Sequence, residues 1–245
     1  MYEMRDRMTH VDIAATIAPE DKLSKTLLND IKINEKSIDI VELRIDQWPS
    51  FNKALLNEVI KQLKIFHLKI LVTYRTSIQG GKGAVNEQEY LNILSELIEC
   101  PQFDMIDIEW SSAVKIEKYT HLVQRAQQKG LEVVLSHHNF QETPENMMEI
   151  LSELTSLNPK LVKVAVMAHT EQDVLDLMNY TRGFKTLNPE QEYVTISMGK
   201  VGKVSRITAD VTGSSWSFAS LDEASAPGQI SLANMKKIRE ILDEA

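Results

Sequence analysis

Short runs of Val, Ile, Leu and Ala recur along the chain, and the stretches between them place apolar residues at helical spacing. The runs at 11–17 (VDIAATI), 38–45 (IDIVELRI), 69–75 (KILVTYR) and 103–110 (FDMIDIEW) predict strands. So do those at 132–138 (EVVLSHH), 161–167 (LVKVAVM), 193–198 (YVTISM) and 214–220 (SSWSFAS). Helices are predicted over 21–35, 52–65, 87–99, 113–129, 144–156, 171–182, 201–210 and 231–244. Thr143-Pro144 reads as a cap followed by a first-turn proline, and Thr170-Glu171 as a cap followed by acidic residues. Gly130 sits where a helix ending near Lys129 wants its terminating glycine.

Eight strand–helix pairs in 245 residues average about 31 residues each, which suits βα repetition with parallel strands. Runs that are apolar on both faces suit a sheet covered by helices. The expected fold is a single-domain α/β structure, a (β/α)8 TIM barrel. An open doubly wound sheet would carry a glycine-rich phosphate turn after its first strand, and IAPEDKLS is not one. Residues 1–7, which precede a second Met-Thr, are read as an N-terminal extension, disordered or an alternative start. Residues 8–245 are read as the barrel.

Composition narrows the function classes. The chain is 43% hydrophobic and 25% charged, with a net charge of −8 and no basic block, so a nucleic-acid partner is not expected. One cysteine, Cys100, excludes an intrachain disulfide and a cysteine metal cluster. Apolar runs of five or six residues are too short for a membrane span, and MYEMRDRMTH has no apolar leader core. A cytoplasmic globular protein is expected.

In a barrel the chemistry sits at the C-terminal ends of the strands, so ionisable residues on one strand face are informative there. Glu42, Arg44 and Asp46 share a face, either as a salt-bridged rim or as a polar holder for a hydroxylated ligand. Thr73 and Arg75 share another, followed by IQGGKG, which reads as a tight surface loop or one closing beside a ligand. Asp107 and Glu109 share the fourth strand's face. On the fifth, Ser136, His138 and Phe140 point one way and His137 and Asn139 the other, so the two histidines do not chelate one metal. Lys163 interrupts a wholly apolar strand. A lysine there must be ion-paired or lose its charge, and a neutral amine attacks carbonyl carbon to give a Schiff base. Arg206, in VSR, can hold a carboxylate.

Together the segments ELRID, LVTYRT followed by GG, DMIDIE, SHHNF, VKVAVM, SMGKVGKVSR and SAPGQI resemble the type I 3-dehydroquinate dehydratase family, in the family's order and across almost the whole chain. The resemblance implies that Lys163 is the Schiff-base lysine for the C3 ketone of 3-dehydroquinate and His138 the general acid/base. It implies that Arg206 binds the substrate carboxylate and that Glu42, Arg44 and Arg75 hold the ring hydroxyls. Ser225 and Gln229 fall on a lid-like loop, and Met198, Phe140 and Phe218 match apolar lining positions. It implies no cofactor, no metal, a shikimate-pathway role and a homodimer. Asp107 is expected to orient His138. The chain departs from the family pattern at Gln79, where an acidic residue is frequent, and at Ile196 and Asn139; the change at Gln79 removes a charge and keeps hydrogen bonding. Two rivals follow from the residues alone: a class I aldolase, disfavoured by the acidic residues of SFASLDEASAPGQ where phosphate would bind, and a barrel that binds a small carboxylate without turnover.

Overall fold

The computed structural model describes residues 11–84, 86–99, 102–221 and 227–243; residues 1–7, Cys100 and Ser225 of the sequence reading lie outside these. In chain order the main elements are β1 (Asp12–Ile17), α1 (Lys25–Asn34), β2 (Ile40–Arg44), α2 (Lys53–Leu63), β3 (Lys69–Thr73) and α3 (Glu87–Ile98). They continue with β4 (Met105–Glu109), α4 (Ile116–Gln128), β5 (Glu132–Asn139), α5 (Met147–Ser156), β6 (Leu161–Met167) and α6 (Glu171–Leu187). The chain ends with β7 (Glu192–Met198), α7 (Val204–Ile207), α8 (Ala209–Thr212), β8 (Trp216–Ser220), β9 (Ile230–Ser231) and α9 (Leu232–Asp243).

All strand pairs are parallel, in the order β7-β6-β5-β4-β3-β2-β1-β8-β9. Because β1 pairs with both β2 and β8, the sheet curls around until β7 comes to face β8. Among the described residues these two carry no ladder; Ser215 N–H donates to the Tyr193 carbonyl at 2.7 Å and ties the seam. The fold is the expected (β/α)8 barrel, with an unzipped seam and the short β9 added beyond β8.

Period-two alternation sorts the strand residues into two cores. Ala15, Val41, Val72, Ile106, Leu135 and Val164 point outward and are buried against helix residues such as Leu56, Ile60, Leu94 and Leu151. Ala14, Ile40, Leu71, Met105, Val134, Leu161 and Trp216 point inward and fill the barrel. Two residues further along β1 to β6 the inward positions turn polar: Thr16, Glu42, Thr73, Asp107, Ser136 and Lys163, all buried, while β7 and β8 stay apolar there with Ile196 and Phe218. The apolar layer forms a floor and the polar layer forms the base of the mouth.

Several local expectations need correction. The helix expected over 201–210 is a 3-10 turn at Val201–Lys203 followed by the two four-residue helices α7 and α8. Thr143 does not cap α5, which begins at Met147; its hydroxyl donates instead to the Met167 carbonyl at 2.9 Å and ties the β5–α5 loop to the end of β6. Thr170 does cap α6, in a reciprocal capping box with Asp173. Gly130, at φ +83°, ends α4.

The β3–α3 loop doubles back onto the strand it leaves. Gly83 N–H donates to the Arg75 carbonyl at 2.9 Å and Gly81 N–H to the Thr76 carbonyl at 2.8 Å. A β-carbon at Gly81 would overlap the Arg75 carbonyl, so only glycine permits this approach. Gly81→Ala is therefore expected to cost about 1–3 kcal/mol, the scale of an overpacked site. Urea unfolding measures it, and a loss under about 0.5 kcal/mol, the range of an ordinary surface change, contradicts the role given to this contact.

Candidate active site

Side chains from β1, β2, β5, β6, β7 and β8, joined by others from the segments after β3, β5, β7 and β8, meet in one cavity at the C-terminal ends of the strands. It is lined by Thr16, Glu42, Arg44, Arg75, Gln79, Gly80, His138, Phe140, Lys163, Ala165, Ile196, Met198, Arg206, Phe218 and Gln229. Of the site residues named from the sequence, Lys163, His138, Glu42, Arg44, Arg75, Arg206 and Gln229 meet here, while Ser225 lies outside the described residues.

Lys163 is 5% exposed, with its ammonium 3.2 Å from Glu42 and 4.0 Å from the centroid of the Phe218 ring. Burial pulls its pKa below the ordinary 10.5, Glu42 and Asp107 oppose that, and Arg75 reinforces it. Both readings of the sequence, paired and depressed, thus hold together. The Glu42 carboxylate also accepts the Thr16 hydroxyl at 2.8 Å and the Thr73 hydroxyl at 3.0 Å. Burial works against its charge, but Lys163, Arg44 and the Thr16 bond prevail and hold its pKa at about 2.

Two of the three arginines are balanced by carboxylates. Arg44 meets Asp46 through two bonds, Nε to Oδ1 at 2.8 Å and Nη2 to Oδ2 at 2.9 Å. Arg75 lies 2.9 Å from both Asp107 and Glu109, and its Nη1 also donates to the Ser136 hydroxyl at 2.8 Å. Arg206 differs. It is 4% exposed, its Nε makes no hydrogen bond, and its Nη2 reaches only the Pro227 carbonyl at 3.4 Å. Among the described residues no carboxylate pairs with it, and burial lowers its pKa to about 10. A buried guanidinium without an anion lining a cavity is a place for a ligand carboxylate.

The half-buried His138 is pushed well below the ordinary 6.5, first by desolvation and then by Arg75 and Lys163, so the ring is neutral near pH 7. Its polar partner is Gln79, not Asp107: Gln79 Oε1 accepts the His138 backbone N–H at 2.8 Å and lies 3.2 Å from Nδ1. Asp107 accepts the Ser136 hydroxyl at 2.8 Å and pairs with Arg75, which corrects its expected role. His137 points the other way, edge-on to Trp110 at 5.3 Å. The glycine loop is both tight and beside the cavity, since Gly80 lines it. Thr16 was missed in the sequence, although a hydroxyl at the end of an apolar first strand was a legible signal. Among the described residues no three His, Cys, Asp or Glu side chains stand close enough to hold a metal, and no helix is long and apolar enough to cross a membrane.

A (β/α)8 barrel with a depressed lysine, a neutral histidine and an arginine without an anion around one cavity defines a barrel enzyme of the amine-bearing kind. Comparison with known proteins makes the assignment specific. The family model described as type I 3-dehydroquinase matches residues 17–245. The 3-dehydroquinate dehydratase of Staphylococcus epidermidis is 70% identical over 233 residues, covering 94% of this chain and 98% of that protein. The Streptococcus pneumoniae enzyme of the same name is 64% identical over 208 residues, 84% of this chain and 88% of its own. A Clostridium difficile type I 3-dehydroquinate dehydratase, solved with covalently modified comenic acid, superposes with a TM-score of 0.80 at 28% identity, covering 95% of this chain and 92% of that one. The chain belongs to the type I 3-dehydroquinase family and is a dehydratase, a hydro-lyase. The aldolase and the inert carboxylate binder are set aside.

Arg75 is the keystone of the polar layer, and its removal leaves Asp107 and Glu109 buried without a cation. Arg75→Met is expected to cost about 3–5 kcal/mol at neutral pH. Carboxyls left in this state have folded pKa values above their unfolded ones, so the deficit should shrink as pH falls and they take up protons. Urea unfolding of both proteins at pH 7 and pH 5 checks this, and a deficit that grows on acidification contradicts it.

Proposed function

We propose that this chain converts 3-dehydroquinate to 3-dehydroshikimate and water through a Schiff base on Lys163, with His138 as general acid/base. The observation that carries the reading is the juxtaposition in one cavity of a buried, depressed amine, a neutral imidazole and Arg206 without a carboxylate. The match to relatives of this name supports the substrate.

The neutral Lys163 amine adds to the C3 carbonyl carbon, and the carbinolamine loses water to give a protonated imine. That cation is an electron sink. His138 removes a proton from C2, and the electron pair flows into the imine as an enamine. The pair then returns to expel the C1 hydroxyl, which leaves as water after taking the proton from His138. One water hydrolyses the product imine and restores the lysine, so the net change is loss of one water. Lysine supplies the sink, and the mechanism calls for no cofactor or metal.

In this reading Arg206 takes the substrate carboxylate, because Arg44 and Arg75 already face carboxylates. Glu42, Arg44 and Arg75 face the ring hydroxyls and Gln229 covers the ligand, a role the resemblance also gives Ser225. Phe140, Met198 and Phe218 supply apolar walls. The net charge of −8 is no obstacle to an anionic substrate, since Arg206 lines the cavity with no carboxylate paired to it among the described residues. The same reading places the enzyme in the shikimate pathway, in the cytoplasm and as a homodimer; resemblance alone supports the dimer, and sedimentation showing only a species of single-chain mass would refute it.

Steady-state kinetics test the roles separately. Lys163→Ala should abolish turnover in a folded protein, and retained activity would overturn the imine. His138→Ala should slow turnover by about 10²–10⁴-fold, the worth of a general acid–base group. Arg206→Ala removes a charged pair worth about 1.5–3 kcal/mol, which should raise KM roughly ten- to hundredfold; an unchanged KM counts against its role.

A further inference from the structure

The arginines that line the cavity differ in how their charge is met. Asp46 stands in the 3-10 turn Ile45–Gln47 that follows β2, is 2% exposed, and spends both carboxylate oxygens. Its Oδ1 accepts Arg44 Nε at 2.8 Å. Its Oδ2 accepts Arg44 Nη2 at 2.9 Å, the Gln47 side-chain amide at 2.9 Å and the Lys82 main-chain N–H at 3.1 Å. Burial works against the charge on Asp46. The Arg44 bond and charge, with the main-chain N–H groups of Lys82 and Arg75, prevail and hold its pKa below the ordinary 3.8. Arg44 therefore lines the cavity with its Nε–Nη2 edge occupied and its charge matched.

A carboxylate binds a guanidinium best through two parallel N–H bonds along one edge. On Arg44 Asp46 already holds such an edge, and Arg75 is engaged by Asp107 and Glu109. Arg206 alone of the three has no carboxylate among the described residues. The distinction matters for a six-membered ring that carries one carboxylate and one ketone. Between two unmatched guanidiniums such a ring can enter either way round, and only one way sets the ketone against Lys163. With Arg44 matched, the carboxylate goes to Arg206 and the neutral hydroxyls are left for Arg44.

We propose that Asp46 is a specificity-determining residue: by holding the Nε–Nη2 edge of Arg44 it keeps that arginine from binding a carboxylate, leaves Arg206 as the anion site and fixes which way round the ring enters. The inference rests on the reading that Arg206 takes the ligand carboxylate. A carboxylate is specifically required in the turn. Every hydrogen bond to Asp46 comes from a donor on both of its oxygens, so an asparagine there must set its NH2 against at least one N–H and loosen the hold on Arg44.

The test is NMR titration with cyclohexanecarboxylate and the isomeric cyclohexanedicarboxylates, which have no ketone and form no imine. Wild-type protein should bind the monocarboxylate and the dicarboxylates within about threefold of one another, since a second carboxylate finds no unmatched arginine. Asp46→Asn should bind at least one dicarboxylate about tenfold or more tighter than the monocarboxylate, the worth of a new charged hydrogen-bond pair. Adding Arg44→Gln to that variant should abolish the gain. A merely structural role would weaken all the probes alike. A folded Asp46→Asn variant with the wild-type ratio, or a gain that survives Arg44→Gln, overturns the proposal. If Asp46→Asn does not fold, Arg44→Gln in the otherwise wild-type chain decides: carboxylate affinities within about threefold of wild type support the proposal, and a loss of about tenfold or more overturns it. Monocarboxylate binding that survives Arg206→Ala would overturn the Arg206 reading and the inference with it. Loss of that binding in Arg206→Ala, with an unmoved ratio in Asp46→Asn, would overturn the inference alone.

Discussion

Lys163 Nζ and Glu42 Oε1 lie 3.2 Å apart inside the barrel, and the surrounding polar groups follow from having to keep that pair there. A buried ion pair loses hydration on both partners, and it persists only when further hydrogen bonds satisfy the remaining lone pairs and protons. Thr16 from β1 and Thr73 from β3 serve Glu42 in this way. Lys163 has Glu42 on one side and the face of Phe218 on another, which stabilises the cation only in part. The lysine is left closer to neutrality than an exposed one, and that is the state in which an amine attacks carbonyl carbon.

The same strands supply rigidity and reactivity by dividing their inward positions in height. Below, Ala14, Ile40, Leu71, Met105 and Val134 close the interior with ordinary apolar packing. Above, Arg75 gathers Asp107 and Glu109 of β4 and Ser136 of β5 into one hydrogen-bonded cluster. Its guanidinium reaches both strands at once, as its planar, multi-donor geometry permits. Among the described residues Arg206, on α7, has no carboxylate partner, and in an enzyme the ligand completes such a site. Burying it costs stability in the empty protein, as is usual where a site is preorganised for an ionic ligand.

Much of this was legible in the sequence because barrel strands are covered on both faces and read as Val- and Ile-rich runs. Against that background Lys163 stood out, and period two placed Glu42, Arg44, Arg75 and His138 on the inward face. Parity could not name partners. Asp107 is on the same inward face as His138, yet Arg75 and Ser136 engage it. The partner of His138 is Gln79, on a loop 59 residues away, which no local pattern announces. The break between α7 and α8 and the reassignment of Thr143 are likewise decided by tertiary contacts: the Thr143 hydroxyl finds the Met167 carbonyl rather than a helix end.

The central claim is that Lys163 becomes covalently attached to its ketone substrate. The direct measurement is borohydride reduction of the wild-type protein in the presence of 3-dehydroquinate, followed by intact and peptide mass analysis. The account predicts one stable adduct per chain, confined to the peptide that contains Lys163. An adduct on another residue, or none from folded protein that turns the substrate over, would contradict it.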